Sequence, residues 1–196
     1  MLDYNILKKQ LYTPLADLEF VAFDFETTGL YANLDRIIEI GAIKFNLQNI
    51  GPRFTTLINP EMSIPPESTK INGITDEMVR GKPTIQDVLP HFMNFIGSSV
   101  LVAHNAPFDT GFFINSLRSC ALETLHNHII DTIELAKQVI TQARKYSLSY
   151  LCQILNIPLP AFHRAENDAL ACRELFLYCV RLISLEGSII LKDLYK

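Results

Sequence analysis

The chain has 196 residues, of which 48% are hydrophobic and 19% charged, the balance of a folded domain rather than a disordered segment. No apolar run approaches the roughly 20 residues a membrane-spanning helix needs. Residues 1–17 lack the apolar core and cleavage site of a signal peptide, so a cytoplasmic protein with no membrane contact is expected. A net charge of −4 argues against a protein that coats nucleic acid through broad electrostatics. It leaves open one that neutralises its own carboxylates and a phosphate together with bound cations.

In chain order, residues 1–17 read as a leader with a short helix, ending near Pro14. Glu19 to Phe25 alternates as a first strand, Arg36 to Phe45 reads as a second and Arg53 to Ile58 as a third. Their short connections predict an antiparallel meander. Pro65, Pro66 and Gly73 punctuate a short helical region, and Thr75 opens a capped turn. Ile85, Val88, Leu89, Phe92, Phe95 and Ile96 carry the period of an amphipathic helix over 84–96. Ser99 to Ala103 is short and apolar enough for a buried strand, followed by a helix over 108–118 and a brief strand over 128–131. Helices are expected at 132–143, 147–155 and 165–184, giving a domain over 18–185 with a short tail over 186–196. A meander followed by strands alternating with helices predicts an α/β fold, a mixed sheet flanked by helices.

Three acidic clusters stand out. Asp24 and Glu26 end the first strand, and a period of two puts both on one face, with Phe23 and Phe25 on the other. Neighbouring like charges raise each other's pKa unless a cation holds them. His104 and Asp109 bracket a turn from a buried strand into a helix, where each also has an ordinary role, as a strand-end histidine and a helix-dipole partner. His163 precedes the last helix and Asp168 lies in its first turns; Ala165, Ala169 and Ala171 leave room beside them, and Glu166 and Asn167 are expected to face solvent or cap. Cys120, Cys152, Cys172 and Cys179 form no CxxC pair or zinc spacing, and Cys172 and Cys179 are expected in the core.

Asp24-x-Glu26-Thr27-Thr28-Gly29, His104-Asn105-Ala106-x-Phe108-Asp109 and His163-Arg164-Ala165-x-x-Asp168 resemble, in order, the three motifs of the DEDD superfamily of 3′→5′ exonucleases. The histidine in the third is that of the DnaQ-like branch. The resemblance spans about residues 19–180, and the segments Ile58–Pro65, Ile71–Val79, Asp131–Ala136 and Tyr146–Cys152 resemble the proofreading type, the epsilon subunit or exonuclease domain of bacterial DNA polymerase III.

The resemblance implies a ribonuclease H-like fold with a five-stranded sheet. It also implies two divalent cations, Mg²⁺ or Mn²⁺, held by Asp24, Glu26, Asp109 and Asp168, with Asp24 shared between them and Asp109 acting through water or in the outer shell. His163 would be the general base, and 5′-mononucleotides would leave from the 3′ end of single-stranded DNA. Thr27, Leu30 and Phe108, and more weakly Ile71, Asn72, His104 and Asn105, would contact the terminal nucleotide. A DNA polymerase subunit is a further implied partner, although the short tail lacks the long segment the epsilon subunit uses to hold its polymerase. RNA trimming by the same chemistry and an inactive scaffold are the alternatives, and the oligomeric state is left open.

Overall fold

The computed structural model describes residues 4–158 and 164–195. In chain order come α1 (Tyr4–Leu11), β1 (Phe20–Thr27), β2 (Ile37–Phe45), β3 (Ile50–Leu57), α2 (Pro66–Asn72), α3 (Asp76–Val79) and α4 (Ile85–Ile96). They are followed by β4 (Val100–Ala103), α5 (Ala106–Ser119), β5 (Ile129–Asp131), α6 (Thr132–Val139), α7 (Leu148–Ile154) and α8 (Ala165–Ile183). Among the described residues the strands form one five-stranded sheet in the order β3-β2-β1-β4-β5. β1, β2 and β3 pair antiparallel, as the short connections predict, and β4 and β5 run parallel to β1. This is the mixed α/β sheet expected from the sequence.

The two faces of the sheet follow from strand alternation. Val21, Phe23 and Phe25 of β1 pack with Leu89 and Phe92 of α4 and with Phe112 and Phe113 of α5. Phe20 and Ala22 on the other face pack with Leu135 of α6, Leu151 of α7, and Cys172, Leu175 and Phe176 of α8. Asp24 and Glu26 share the parity of Phe20 and Ala22, so they prolong an apolar stripe into an acidic end on the α8 side. Cys172 and Cys179 are buried, as their spacing predicts.

Several boundaries differ from the sequence reading. β3 begins at Ile50, because Asn46 closes a tight turn by accepting the Gln48 and Asn49 amides. α6 ends at Val139 instead of 143, where Ile140 leaves helical geometry and its amide closes on Ala136 O. The ends of the described chain pack together: Leu15 N donates to Ile189 O, Leu191 N to Thr13 O, and Leu15, Leu191 and Leu194 are all buried.

One close approach sets the geometry of the α8 face. Gly41 of β2 is the cross-strand partner of Asp24, and the backbone of Ala165 lies against it. A Cβ at Gly41 would come within 2.1 Å of the Ala165 carbonyl carbon and 2.2 Å of the Glu166 nitrogen. Those are backbone atoms, so the helix itself would have to move. Gly41→Ala is therefore expected to cost about 1–3 kcal/mol through overpacking. At roughly 2–4 °C per kcal/mol for a chain of this size, thermal unfolding should show a drop of several degrees; an unchanged Tm would mean that the start of α8 is free to shift.

Candidate active site

β1 leaves β4 early. The two strands are in register only over Phe20–Ala22 with Val100–Val102, so the Phe25 amide has no β4 partner. Asp109, in the first turns of α5, fills the gap: its Oδ1 accepts from Phe25 N at 3.0 Å, and the residue is buried. Asp109 is thus tied across the sheet end and is more than a dipole partner of its own helix. Asn105, in the left-handed region at φ 65°, makes the turn that starts α5, and Asp131 at the end of β5 accepts the Asn105 and Ala106 amides at 3.1 Å each.

From the other side, α8 brings Asp168 over β1. One carboxylate oxygen from each of Asp24, Glu26 and Asp168 lies within 4.8 Å of the others; Glu26 and Asp168 are buried and Asp24 half-buried. Asp109 stands beside this trio. The site lies past the carboxyl end of β1, where the chain departs to β2 on one side and returns to β4 on the other, the position at which sites form in open α/β sheets.

The electrostatics follow from burial and crowding. Burial first, then the charges of Asp109, Asp168, Glu26 and Glu39, push the Asp24 carboxyl well above the usual carboxylate range. Burial, with Asp168 and Glu39, lifts Glu26 to about 7, against the lowering effects of an Asn72 hydrogen bond and the Arg164 charge. Burial lifts Asp109 to about 8, opposed by the backbone hydrogen bonds it accepts. A hard divalent cation fits this donor set: every candidate ligand is a carboxylate oxygen, and like charges this close are relieved by a cation between them.

Next to Glu26 a cleft of 370 Å³ opens between the β1–β2 turn and α2. Thr27, Leu30, Ile71, Asn72 and Phe108 all line it, so five of the seven expected nucleotide contacts share one wall. The walls are pinned. Ser68 Oγ donates to Thr28 O at 2.6 Å, Asn72 Nδ2 to Thr27 O at 3.5 Å, and Gly73 closes α2 in the left-handed conformation at φ 71°. Leu30 is 74% exposed and Ile71 61% exposed, which leaves two large apolar side chains open to an incoming group.

The other two expected contacts lie elsewhere. His104 Nδ1 is 2.9 Å from Thr132 Oγ1 and Nε2 is 2.8 Å from Tyr146 O, so both ring nitrogens are used within the fold, and burial lowers its pKa. Asn105 is exposed and makes the turn described above. His163 lies outside the described residues. Glu166 does not simply face solvent or cap: its carboxylate meets Arg53 Nη1 at 2.7 Å and Thr55 Oγ1 at 3.1 Å on β3. Glu39 was not singled out from the sequence, yet it is 1% exposed beside the trio, with its carboxylate on Arg164 and the Ala165 amide. The signal available was one acid inside the apolar run Ile37-Ile38-Glu39-Ile40, at a position opposite Glu26.

Comparison with known proteins places this arrangement. The model of the exonuclease family (RNase T) matches residues 21–176. The DNA polymerase III subunit epsilon of Treponema pallidum is 45% identical over 159 residues, covering 80% of this chain and 74% of that protein. The PolC-type DNA polymerase III of Clostridium perfringens is 42% identical over 173 residues, covering 88% of this chain; the match spans only 12% of that relative's length. Among solved structures, exonuclease X in complex with 5′ overhanging duplex DNA superposes with a TM-score of 0.69 at 28% identity, over 91% of this chain and 99% of that one. E. coli exonuclease I in complex with a dT13 oligonucleotide, 18% identical over 86% of this chain and 41% of that one, shares the fold with a TM-score of 0.74.

The raised carboxyl groups make a pH-dependent signature of the metal-free protein. Glu26 and Asp109 bind protons more tightly folded, near 7 and 8, than at their ordinary values of 4.5 and 3.8, so folding takes up protons between these limits. Their contribution to stability is present at low pH and is lost as pH rises through about 8. Metal-free protein should therefore have a lower Tm at about pH 8.5 than at about pH 5.5, and Mn²⁺ should raise Tm more at the higher pH. Glu26→Gln should flatten the slope; a Mn²⁺ effect that ignores pH would count against a metal bound by these carboxylates.

Proposed function

The chain belongs to the exonuclease family, and on that premise we propose that it is a 3′→5′ exonuclease that hydrolyses DNA from the 3′ end as a proofreading-type enzyme, releasing 5′-mononucleotides. The observation that carries this reading is the trio of Asp24, Glu26 and Asp168, set beside a cleft wide enough for one nucleoside. Two cations, Mg²⁺ or Mn²⁺, held by Asp24, Glu26 and Asp168 with Asp109 in support, would supply activation of water and stabilisation of the leaving 3′-oxygen.

The side chains do the rest. Leu30, Ile71 and Phe108 form an apolar wall against which the terminal nucleoside stacks and packs, a mode of binding that tolerates any base. Thr27 and Asn72 offer polar edges between that wall and Glu26. Asp109, held by the Phe25 amide, keeps a carboxyl group beside Asp24 in a fixed orientation. His163 is assigned as general base from its place before Asp168 in the third motif. A histidine with a pKa near ~6.5 accepts a proton from water at neutral pH.

DNA is preferred over RNA as substrate because the two relatives described above are named as DNA polymerase III components. The same relatives motivate a polymerase subunit as partner and the cytoplasm as location; among the described residues no helix is long and apolar enough to cross a membrane.

The test is digestion of matched 5′-labelled single-stranded DNA and RNA with Mg²⁺, Mn²⁺ or EDTA. A metal-dependent ladder shortening from the 3′ end, faster on DNA, is expected; faster RNA cleavage would move the assignment to RNA trimming. His163→Ala should lower kcat by about 10²- to 10⁴-fold, the usual worth of a general base, while Mn²⁺ affinity stays near wild type. Unchanged turnover would overturn the assignment of His163.

A further inference from the structure

Glu39 lies in the middle of β2, directly across from Glu26 in the strand register, and is 1% exposed. Its carboxylate accepts from Arg164 Nε at 3.2 Å, from Arg164 Nη2 at 2.6 Å and from the Ala165 amide at 3.0 Å. The Ala165 amide is the first of α8 and has no acceptor within its own helix, and a negative charge there also meets the positive end of the helix dipole. Next along the chain, Glu166 is fastened to Arg53 and Thr55 of β3. Beneath them Gly41 permits contact between the Ala165 backbone and β2. Three successive residues at the head of α8 are thus fixed to the sheet.

Asp168 follows Ala165 by one helical turn, so the two share a helix face. With Ala165 seated on Gly41, opposite Asp24, that turn brings Asp168 into the trio with Asp24 and Glu26. We propose that Glu39 is the positioning residue of the metal site: by binding the Arg164 guanidinium and the Ala165 amide together, it fixes the head of α8 so that Asp168 is held at ligand distance from Asp24 and Glu26. Stability alone does not call for a carboxylate here. Burying the Glu39 carboxylate carries a desolvation cost that its pair with the exposed Arg164 does little more than recover, and an apolar residue would pack this position as well or better. An apolar residue cannot orient an amide and a guanidinium at once. A second acid opposite Glu26 also adds repulsion to an already crowded site, which its link to Arg164 offsets.

The inference rests on the reading that the trio holds the cations used in cleavage. Its test is Mn²⁺ titration of wild type, Glu39→Gln and Glu39→Ala, read by electron paramagnetic resonance of free Mn²⁺, together with kcat and KM on a 5′-labelled oligonucleotide. Loss of a group that orients a metal ligand typically weakens metal affinity or activity by about 10- to 100-fold. Glu39→Gln keeps an acceptor for the Ala165 amide but loses the charge facing Arg164, and about tenfold weaker Mn²⁺ binding is expected. A fall in kcat at fixed Mn²⁺, partly restored by excess Mn²⁺, should accompany it with KM little changed. Glu39→Ala should lose more; if it fails to fold, the near-isosteric Gln variant decides. A folded Gln variant with lowered Tm but wild-type Mn²⁺ affinity and kcat would overturn the proposal, reducing Glu39 to a packing element. Because the Mn²⁺ titration reads metal affinity without turnover, it decides for Glu39 even in a wild-type protein that cleaves neither DNA nor RNA.

Discussion

The close approach of the head of α8 to β1 and β2 is the constraint on which the rest of the structure depends. Asp24 and Glu26 are placed by strand alternation alone, but two carboxylates on one strand are an incomplete cage. The third must come from a helix whose backbone touches the sheet, and contact at that distance is available only above a residue without a side chain. Gly41 is that residue, and the 2.1 Å a Cβ would leave to Ala165 shows how little slack remains. Glu39 and the Arg53–Glu166 pair then hold laterally what Gly41 allows vertically. From the opposite face α5 delivers Asp109, fixed by an amide that β1 exposes where it parts from β4. α5 thus meets the acidic stripe where pairing with β4 runs out, and α8 meets it over the paired β1 and β2.

Much of this was legible from spacing. The alternation of Phe23-Asp24-Phe25-Glu26 gave the face of the carboxylates, the short connections gave the meander, and three motifs in order identified the residues that converge. What escaped has a common physical origin. Glu39, Gly41 and Arg164 matter because of what lies across from them in space, and single-strand periodicity carries no cross-strand register. The one local anomaly, an acid within Ile37-Ile38-Glu39-Ile40, could have been read as a polar strand end just as easily. His104 went the other way. Its motif position suggested a substrate contact, whereas Thr132 and the Tyr146 carbonyl, both remote in sequence, take its two nitrogens. The overlong helix expected at 132–143 has a local cause: apolar spacing continues past Val139, but Ile140 leaves helical geometry.

β1 links recognition to chemistry. Its last residues supply two carboxylates and Thr27, and the turn that follows supplies Leu30 to the cleft. Glu26 belongs to both, as a wall of the cleft and a member of the trio. The turn is therefore not free to drift: Thr28 N bonds to Arg36 O, and Asp35 accepts the Tyr31 amide at 2.8 Å. A nucleoside seated against Leu30 is thereby placed relative to the carboxylates by a few covalent steps of one strand, a short lever with little room for misalignment.

The acidic net charge then becomes intelligible. A protein at −4 has no broad field with which to hold a polyanion. Once ionised, its trio would repel a phosphate as its members repel one another, the same crowding that with burial raises their pKa values. Cations reverse that sign at one place only, between the trio and whatever phosphate reaches it. On the proposed reading the rest of the contact would be apolar, at Leu30, Ile71 and Phe108, and insensitive to base identity. Attraction confined to a single metal-bridged phosphate and a single apolar cleft favours a strand end, which can place its last nucleoside in the cleft, over an internal position held by its neighbours on both sides. On the proposed reading, end selectivity would follow from where the charge is concentrated.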